Sequence, residues 1–250
     1  MQLSTTIADI AGEAQRVVSA ATDQGTVVRI SGGVAFQLRV RGRVELPRAP
    51  AKDIDLVVPG GTERRVSKLV TGLGYDAEKA FNARHGETRL MFWDPARDRK
   101  LEIFVGTFLM CHQLPIARRL RLERETVPLA ELLLTKLQIV ELNEKDVADM
   151  HMLLASHEVG SADGEVINTE LIAQLCAVDW GLHHTVTRTL SRLHTDPPSY
   201  RLDPGLRKVV DGRIDRIEQA IDRYPKTVAW RLRSKVGERV PWYVQPEEFE

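Results

Sequence analysis

The 250-residue sequence predicts an α+β protein, a mixed-sheet core followed by an all-helical C-terminal part. Three observations point there. Short runs rich in β-branched and other apolar residues, "TVVRIS" (26–31), "DIDLVV" (53–58), "TRLMFW" (88–93) and "KLEIFVG" (100–106), are confined to the first half. From about Pro128 the apolar period becomes helical. A chain of this length is expected to form two compact parts, placed at 1–125 and 126–250 with the active-site cleft expected between them.

Taken in order, residues 3–22 read as an amphipathic helix with Ile7, Ile10, Ala11, Ala14, Val17 and Val18 on one face. The strand "TVVRIS" runs into Gly32-Gly33, after which "VAFQLRV" starts a helix. Arg39, Arg41 and Arg43, with Pro47 and Pro50, mark an irregular basic connection to the strand "DIDLVV", which Pro59-Gly60-Gly61 closes. Thr62 is placed to cap the helix "ERRVSKLVTGLG". "TRLMFW" and "KLEIFVG" flank the polar turn "DPARDR" and read as a hairpin. In the second half, helices are expected over 129–140, from Asn143 to 157 with Val147, Met150, Leu153 and Leu154 facing inward, and over 168–178, 180–195, 204–223 and 225–237. Residues 156–165 and 194–205 read as loops.

Composition excludes more than it selects. Lys plus Arg and Asp plus Glu number 35 each, so no net charge drives the chain to nucleic acid or an anionic surface. The two cysteines, Cys111 and Cys176, form neither a zinc spacing nor a secreted disulfide framework and are expected as reduced, buried thiols. Asp9 and Glu13 interrupt the N-terminal segment where a signal peptide needs an apolar run, and no stretch has the roughly 18 apolar residues of a membrane span. A soluble cytoplasmic protein is expected.

Charged groups are costly to bury unless paired or bound to a metal, so acids inside apolar strands require an explanation. In a strand at about 3.3 Å per residue, Asp53 and Asp55 share one face and Ile54 takes the other. Two such carboxylates suit a hard cation that keeps positions open for water and phosphate oxygens, Mg²⁺ or Mn²⁺. Glu102, between Leu101 and Ile103, supplies a third acid for a two-metal clamp. A strand ending in Ser31, Gly32 and Gly33 before a helix brings backbone N–H groups and a hydroxyl to where a phosphate can bind. The competing explanations are a strand-end turn for Asp53, an arginine partner for Asp55, and a tight turn for the glycines.

This order of parts, a strand with "SGG" and a helix, then "DIDL", then an acid in a later strand, resembles the nucleotidyltransferase superfamily with its polymerase-β-like minimal fold. The segment "PLAELLLTKLQIVELNEKDVADMHMLL" is similar to the helical signature of the AbiEii/AbiGii toxin-type nucleotidyltransferases, with Lys136 at the helix lysine, Lys145-Asp146 at the Arg-Asp pair and Asp149 at the second aspartate. The resemblance spans roughly residues 25–156. The chain departs from it in Lys145 for arginine, Ala148 before the second aspartate, and a glutamate as the third acid.

The resemblance implies transfer of a nucleoside monophosphate from an NTP to an acceptor, with release of pyrophosphate. Asp53 and Asp55 would bind metal, Glu102 would be a third ligand or a base, and Ser31, Gly32 and Gly33 would hold the triphosphate. Lys136 would neutralise the β- and γ-phosphates, with Asp146 orienting it. The acceptor implied is RNA such as tRNA or a protein hydroxyl, and a cognate antitoxin is a further implied partner. An aminoglycoside-type antibiotic acceptor and a non-catalytic nucleotide- or RNA-binding module are the alternatives. No motif indicates an oligomeric state.

Arginines 118, 119, 121 and 124, and a second group of Arg231, Arg233, Lys235 and Arg239, are interleaved with acids and read as solvated faces. His183, His184 and His194 lack a ligand spacing and are assigned no metal. Trp180, Trp230 and Trp242 read as core or interface residues.

Overall fold

The computed structural model describes residues 6–44, 46, 50–195, 200 and 202–245. The first residues of the helix expected at 3–22, Pro47 of the basic connection, and 196–199 and 201 of the second loop lie outside the described residues. The chain divides into two compact units: Met1–Arg39, Ala49–Phe108 and Leu114–Pro128 form one, and Val40–Arg48, Leu109–Gln113 and Leu129–Glu250 the other.

The first unit is built on a five-stranded mixed sheet. Its elements are α1 (Ile10–Asp23), β1 (Arg29–Ser31), α2 (Gly32–Val40), β2 (Ile54–Val58), α3 (Glu63–Gly72), β3 (Asp76–Ala77), α4 (Lys79–His85), β4 (Arg89–Asp94) and β5 (Arg99–Val105). The spatial order is β1-β2-β5-β4-β3, with β2 and β5 parallel and the other pairs antiparallel. A short ribbon, β6 (Phe108–Leu109) with β7 (Gln113–Leu114), and a 3-10 turn at Ile116–Leu122 follow. The outer edge of β1 is covered: Ile30 N–H donates to Glu125 O at 2.9 Å, and Val127 N–H donates to Ile30 O at 2.9 Å.

Strand alternation separates two faces. Ile30, Ile54, Leu56, Val58, Leu90, Phe92, Leu101, Ile103 and Val105 occupy one, all buried. Helix α1 packs on β1 and α3, and α3 on β3 and β4, adding the buried Ala14, Val17, Val18, Val66, Leu69 and Val70 to the core. The other face carries Ser31, Asp55, Glu102 and Arg89 and positions the candidate site.

Several boundaries differ from the sequence expectation. Helix α1 begins at Ile10 because Asp9, extended, caps it by accepting the Gly12 N–H at 2.8 Å. Ile7 therefore precedes the helix and is exposed. Thr62 stands before α3 without a side-chain cap, and its hydroxyl donates to Pro59 O at 2.6 Å instead. Asp53 is outside β2, in an exposed bend one residue before it, so only Asp55 of the pair lies in the strand. The hairpin of β4 and β5 forms as read, with Asp98 in the left-handed region (φ 51°) closing its turn.

From Leu129 onward the described residues of the second unit are mainly helical, with one small strand pair. This part contains α5 (Leu129–Leu137), α6 (Glu144–Ser156), β8 (Glu158–Gly160), β9 (Val166–Asn168), α7 (Thr169–Val178), α8 (Trp180–Thr195), α9 (Pro204–Arg223) and α10 (Val228–Val236). β8 lies inside the segment 156–165 read as a loop and pairs in parallel with β9, which follows directly after that segment. Val147 of α6 is only half-buried, whereas Asp146, Asp149 and His151 are buried. Cys111 and Cys176 are free and buried, and burial pushes the Cys176 thiol up to about 12. No helix among the described residues is long and apolar enough to cross a membrane.

Glu13 is a charged node in the first unit's core. Its carboxylate accepts from Arg16 Nε and Nη2 at 2.8 and 2.7 Å, Tyr75 OH at 2.8 Å and Ile7 N at 2.9 Å. Burial alone would raise its pKa, but the donors from Arg16, Ile7 and Tyr75 outweigh it and hold the carboxyl below 4.5. A depressed folded pKa stabilises the fold above the unfolded value, and that contribution is lost as pH falls through the folded value. Glu13→Gln should cost about 3 kcal/mol in urea unfolding at neutral pH. As pH falls below about 5, it should also lack the part of the wild-type stability decline that Glu13 supplies. An unchanged pH profile in the variant would contradict this account.

Candidate active site

The site grows from a junction with no loop in it. Ser31 ends β1 and Gly32 is the first residue of α2, so strand and helix meet at one peptide. Gly32 makes the turn with φ 56°, in the left-handed region. A second constraint is independent of the backbone angle. A β-carbon on Gly32 would overlap Asp55 Oδ2, lie 2.8 Å from Asp55 Cγ and 3.0 Å from its Cβ. The Asp55 carboxylate thus fills the space that glycine leaves, and the "SGG" and "DID" segments are sterically one unit.

Register explains the meeting. Ser31 is opposite Asp55 in the β1–β2 pair, and Asp55 is opposite Glu102 in the β2–β5 pair. Residues in register on adjacent strands point to the same face, so a hydroxyl and two carboxylates form a row across three strands. Ser31 is fully buried, and its hydroxyl oxygen has no hydrogen-bond partner among the described residues. A buried polar group without a partner is costly, and here it faces the row of acids. Asp55 is half-buried, and Asp53 is exposed at the entry to β2. A hydroxyl, a carboxylate row and the β-carbon-free junction fit a hard cation with phosphate oxygens, with Asp55 and Asp53 as the acids able to hold it.

Glu102 has cationic partners. Arg89 of β4 forms an ion pair with it through Nε, and Lys100 Nζ lies 3.7 Å from its other oxygen. Arg89 also stacks 5.3 Å from the Phe104 ring centroid. These neighbours account for burying the glutamate without a metal. Arg89 escapes a sequence reading because its reach to Glu102 depends on hairpin register. The signal available is only that Arg89 shares the Met91 and Trp93 alternation.

Lys136, Asp146 and Asp149 belong to the second unit and are brought together there. Lys136 Nζ donates to Asp146 Oδ1 at 2.6 Å and lies 3.6 Å from Asp149 Oδ2. Asp146 also closes a capping box: its backbone N–H donates to Asn143 Oδ1 at 3.0 Å, and its Oδ2 accepts the Asn143 N–H at 3.3 Å. One aspartate therefore starts α6 and ties it to the last turn of α5. Of the basic groups, Arg118, Arg121 and Arg124 are exposed. Arg231, Lys235 and Arg239 are exposed as well, while Arg233 lies 4.7 Å over the Trp180 ring.

The sequence matches no protein-family model, and no curated protein matches it. Among solved structures, it aligns with the crystal structure of ANT(2'')-Ia in complex with adenylyl-2''-tobramycin at 14% identity and TM-score 0.41, over 73% of this chain and 97% of that one. The solution structure of the antibiotic-resistance factor ANT(2'')-Ia aligns at 15% identity and TM-score 0.40, over 71% and 89%. An antigenic nucleotidyltransferase-like protein from Paracoccidioides brasiliensis aligns at 12% identity and TM-score 0.44, over 90% and 97%. Alignments this loose carry no chemistry, which rests on the residues themselves.

Gly32→Ala should destabilise the protein by about 2–5 kcal/mol, combining left-handed strain with overlap against Asp55. In Gly32→Ala/Asp55→Ala the carboxylate overlap is gone, so the double variant should be more stable than the sum of the singles by about 1–3 kcal/mol. Strict additivity in denaturant unfolding would show that the two residues do not share this space.

Proposed function

We propose that the chain is a nucleotidyltransferase that binds an NTP with Mg²⁺ or Mn²⁺ at the Ser31–Gly32–Asp55 junction and passes its nucleoside monophosphate to an acceptor. The observation that carries this reading is the Asp55 carboxylate lodged against Gly32, beside the Ser31 hydroxyl, which has no hydrogen-bond partner among the described residues. When bound, the metal would supply positive charge to the triphosphate. Asp55 and Asp53 are the residues proposed to hold it.

The residues of the chain have few other tasks in such a reaction, which is mostly positioning and charge neutralisation. The acceptor oxygen attacks the α-phosphorus and gives its proton to a carboxylate base, for which Glu102 is the proposed candidate; the bond from the α-phosphorus to the bridging oxygen breaks, and pyrophosphate leaves with that electron pair. Ser31 Oγ and the backbone N–H groups at the start of α2 would donate to phosphate oxygens. Asp53, exposed at the strand entry, is proposed to share the metal with Asp55. Lys136 is proposed to serve the β- and γ-phosphates, with Asp146 holding its ammonium in place. Glu102 is proposed as a third acid acting within its pair with Arg89. The acceptor class follows the resemblance alone: an RNA such as tRNA or a protein hydroxyl, with an antitoxin as regulatory partner. An aminoglycoside is the alternative acceptor.

A second reading is a nucleotide-binding module without turnover. It is favoured by one observation, that Glu102 and Lys136 already have strong partners in Arg89 and Asp146. Incubation with each α-labelled NTP, Mg²⁺ and total tRNA or cell extract separates the two. Transfer of label is expected, abolished by chelator, restored by Mg²⁺ or Mn²⁺, and reduced at least about 10²-fold in Asp55→Ala. NTP binding without label transfer supports the second reading. Transfer undiminished in Asp55→Ala would overturn the assigned site.

A further inference from the structure

We propose that His194, Asp215 and Glu218 form a binding site for a divalent transition ion of the zinc class, independent of the acids in the first unit. Ligand atoms of the three residues all lie within 4.8 Å of one another. His194 comes from the last turn of α8, and Asp215 and Glu218 from α9. Asp211, Asp215 and Glu218 follow one another at i, i+4 and i+7, so α9 presents them along one face. Ligands held tetrahedrally at about 2.0–2.2 Å from zinc are about 3.4 Å apart, so small side-chain rotations close the set around an ion.

The imidazole is held as a metal-ligating histidine is held. Its Nδ1 lies 3.1 Å from Asp211 Oδ1, which accepts from it whenever that nitrogen carries a proton. Asp211 in turn accepts from Arg207 Nε at 2.9 Å on both oxygens. Arg207 Nη2 also donates to Leu193 O at 3.2 Å and to His194 O, fixing the end of α8 that carries the imidazole. A carboxylate on the far nitrogen sets tautomer and ring orientation and raises ligand basicity.

Nε2, the other ring nitrogen, faces Asp215 Oδ1 at 3.4 Å, so a nitrogen able to ligate a metal and a carboxylate oxygen stand side by side. Arg207 is already matched by Asp211, and among the described residues no arginine or lysine pairs with Asp215 or Glu218. A cation between Nε2, Asp215 and Glu218 would supply the positive charge that neither carboxylate receives from an arginine or lysine among the described residues. One imidazole with two carboxylates selects a borderline ion such as Zn²⁺ over Mg²⁺, which takes oxygen ligands.

The test is calorimetric titration of ZnCl₂ into the chelator-treated full chain, with excess Mg²⁺ present to fill oxygen-only sites. One saturable event is expected, lost in His194→Ala and in Asp215→Asn, and weakened about 10–100-fold in Asp211→Asn. All three side chains lie at least partly on the surface, and thermal melts verify that the variants fold. Asp55→Ala should bind zinc as the wild type does, which keeps the outcome separate from that of the nucleotidyl-transfer reading. Zinc binding absent from the wild type, or equally tight in His194→Ala and Asp215→Asn, would overturn the proposal. In that case the residues are an ion pair of protonated His194 with its acids.

Discussion

The candidate site depends on one atom that is missing. Without a β-carbon, Gly32 can take a left-handed turn between β1 and α2 and leave room for the Asp55 carboxylate. Either requirement alone would favour glycine, and together they make the position sterically closed to every other residue. The consequence spreads along the sheet, because Asp55 is in register with Ser31 on one side and Glu102 on the other. Acids reach a half-buried face of the sheet only because the β1–α2 junction is thin enough to admit them.

Several other buried acids are paired inside each unit. Glu13 gathers Arg16, Tyr75 and a backbone donor beneath the sheet, Glu102 has Arg89 and Lys100, and Asp94 has Arg99 and Thr6. In the second unit Lys136 is shared by Asp146 and Asp149, with Asp146 also capping α6. Breaking such pairs leaves an uncompensated charge in a low-dielectric interior. Asp55 is distinguished by its place: it sits next to the Ser31 hydroxyl, which has no hydrogen-bond partner among the described residues, at a helix N-terminus, where an anion and its cation are the natural complement.

Much of this was legible in the sequence because alternation and helical period are local signals. The strands at 29–31, 54–58, 89–94 and 99–105 and the helices α5 to α10 fall where those periods place them. The start of β2 was not legible: alternation cannot tell whether Asp53 is the first paired residue or the last unpaired one, and the chain bends there. The β8–β9 pair was hidden because three-residue strands are created by tertiary contact rather than by propensity. The arginine beside Glu102 depends on hairpin register across 95–98. The gathering around His194 depends on how α8 and α9 pack. Neither spacing is written in the linear order, which is why His194 reads as an isolated histidine until α9 is laid against it.

The central claim is that the Asp55 carboxylate, seated against Gly32, holds the metal of a bound nucleoside triphosphate. A crystal structure with a non-hydrolysable NTP analogue and Mn²⁺, located by its anomalous signal, tests it most directly. The account predicts metal about 2.0–2.2 Å from an Asp55 oxygen, with a phosphate oxygen within hydrogen-bond distance of Ser31 Oγ. A nucleotide bound elsewhere on the chain, or bound at the junction with its metal out of reach of Asp55, would contradict it.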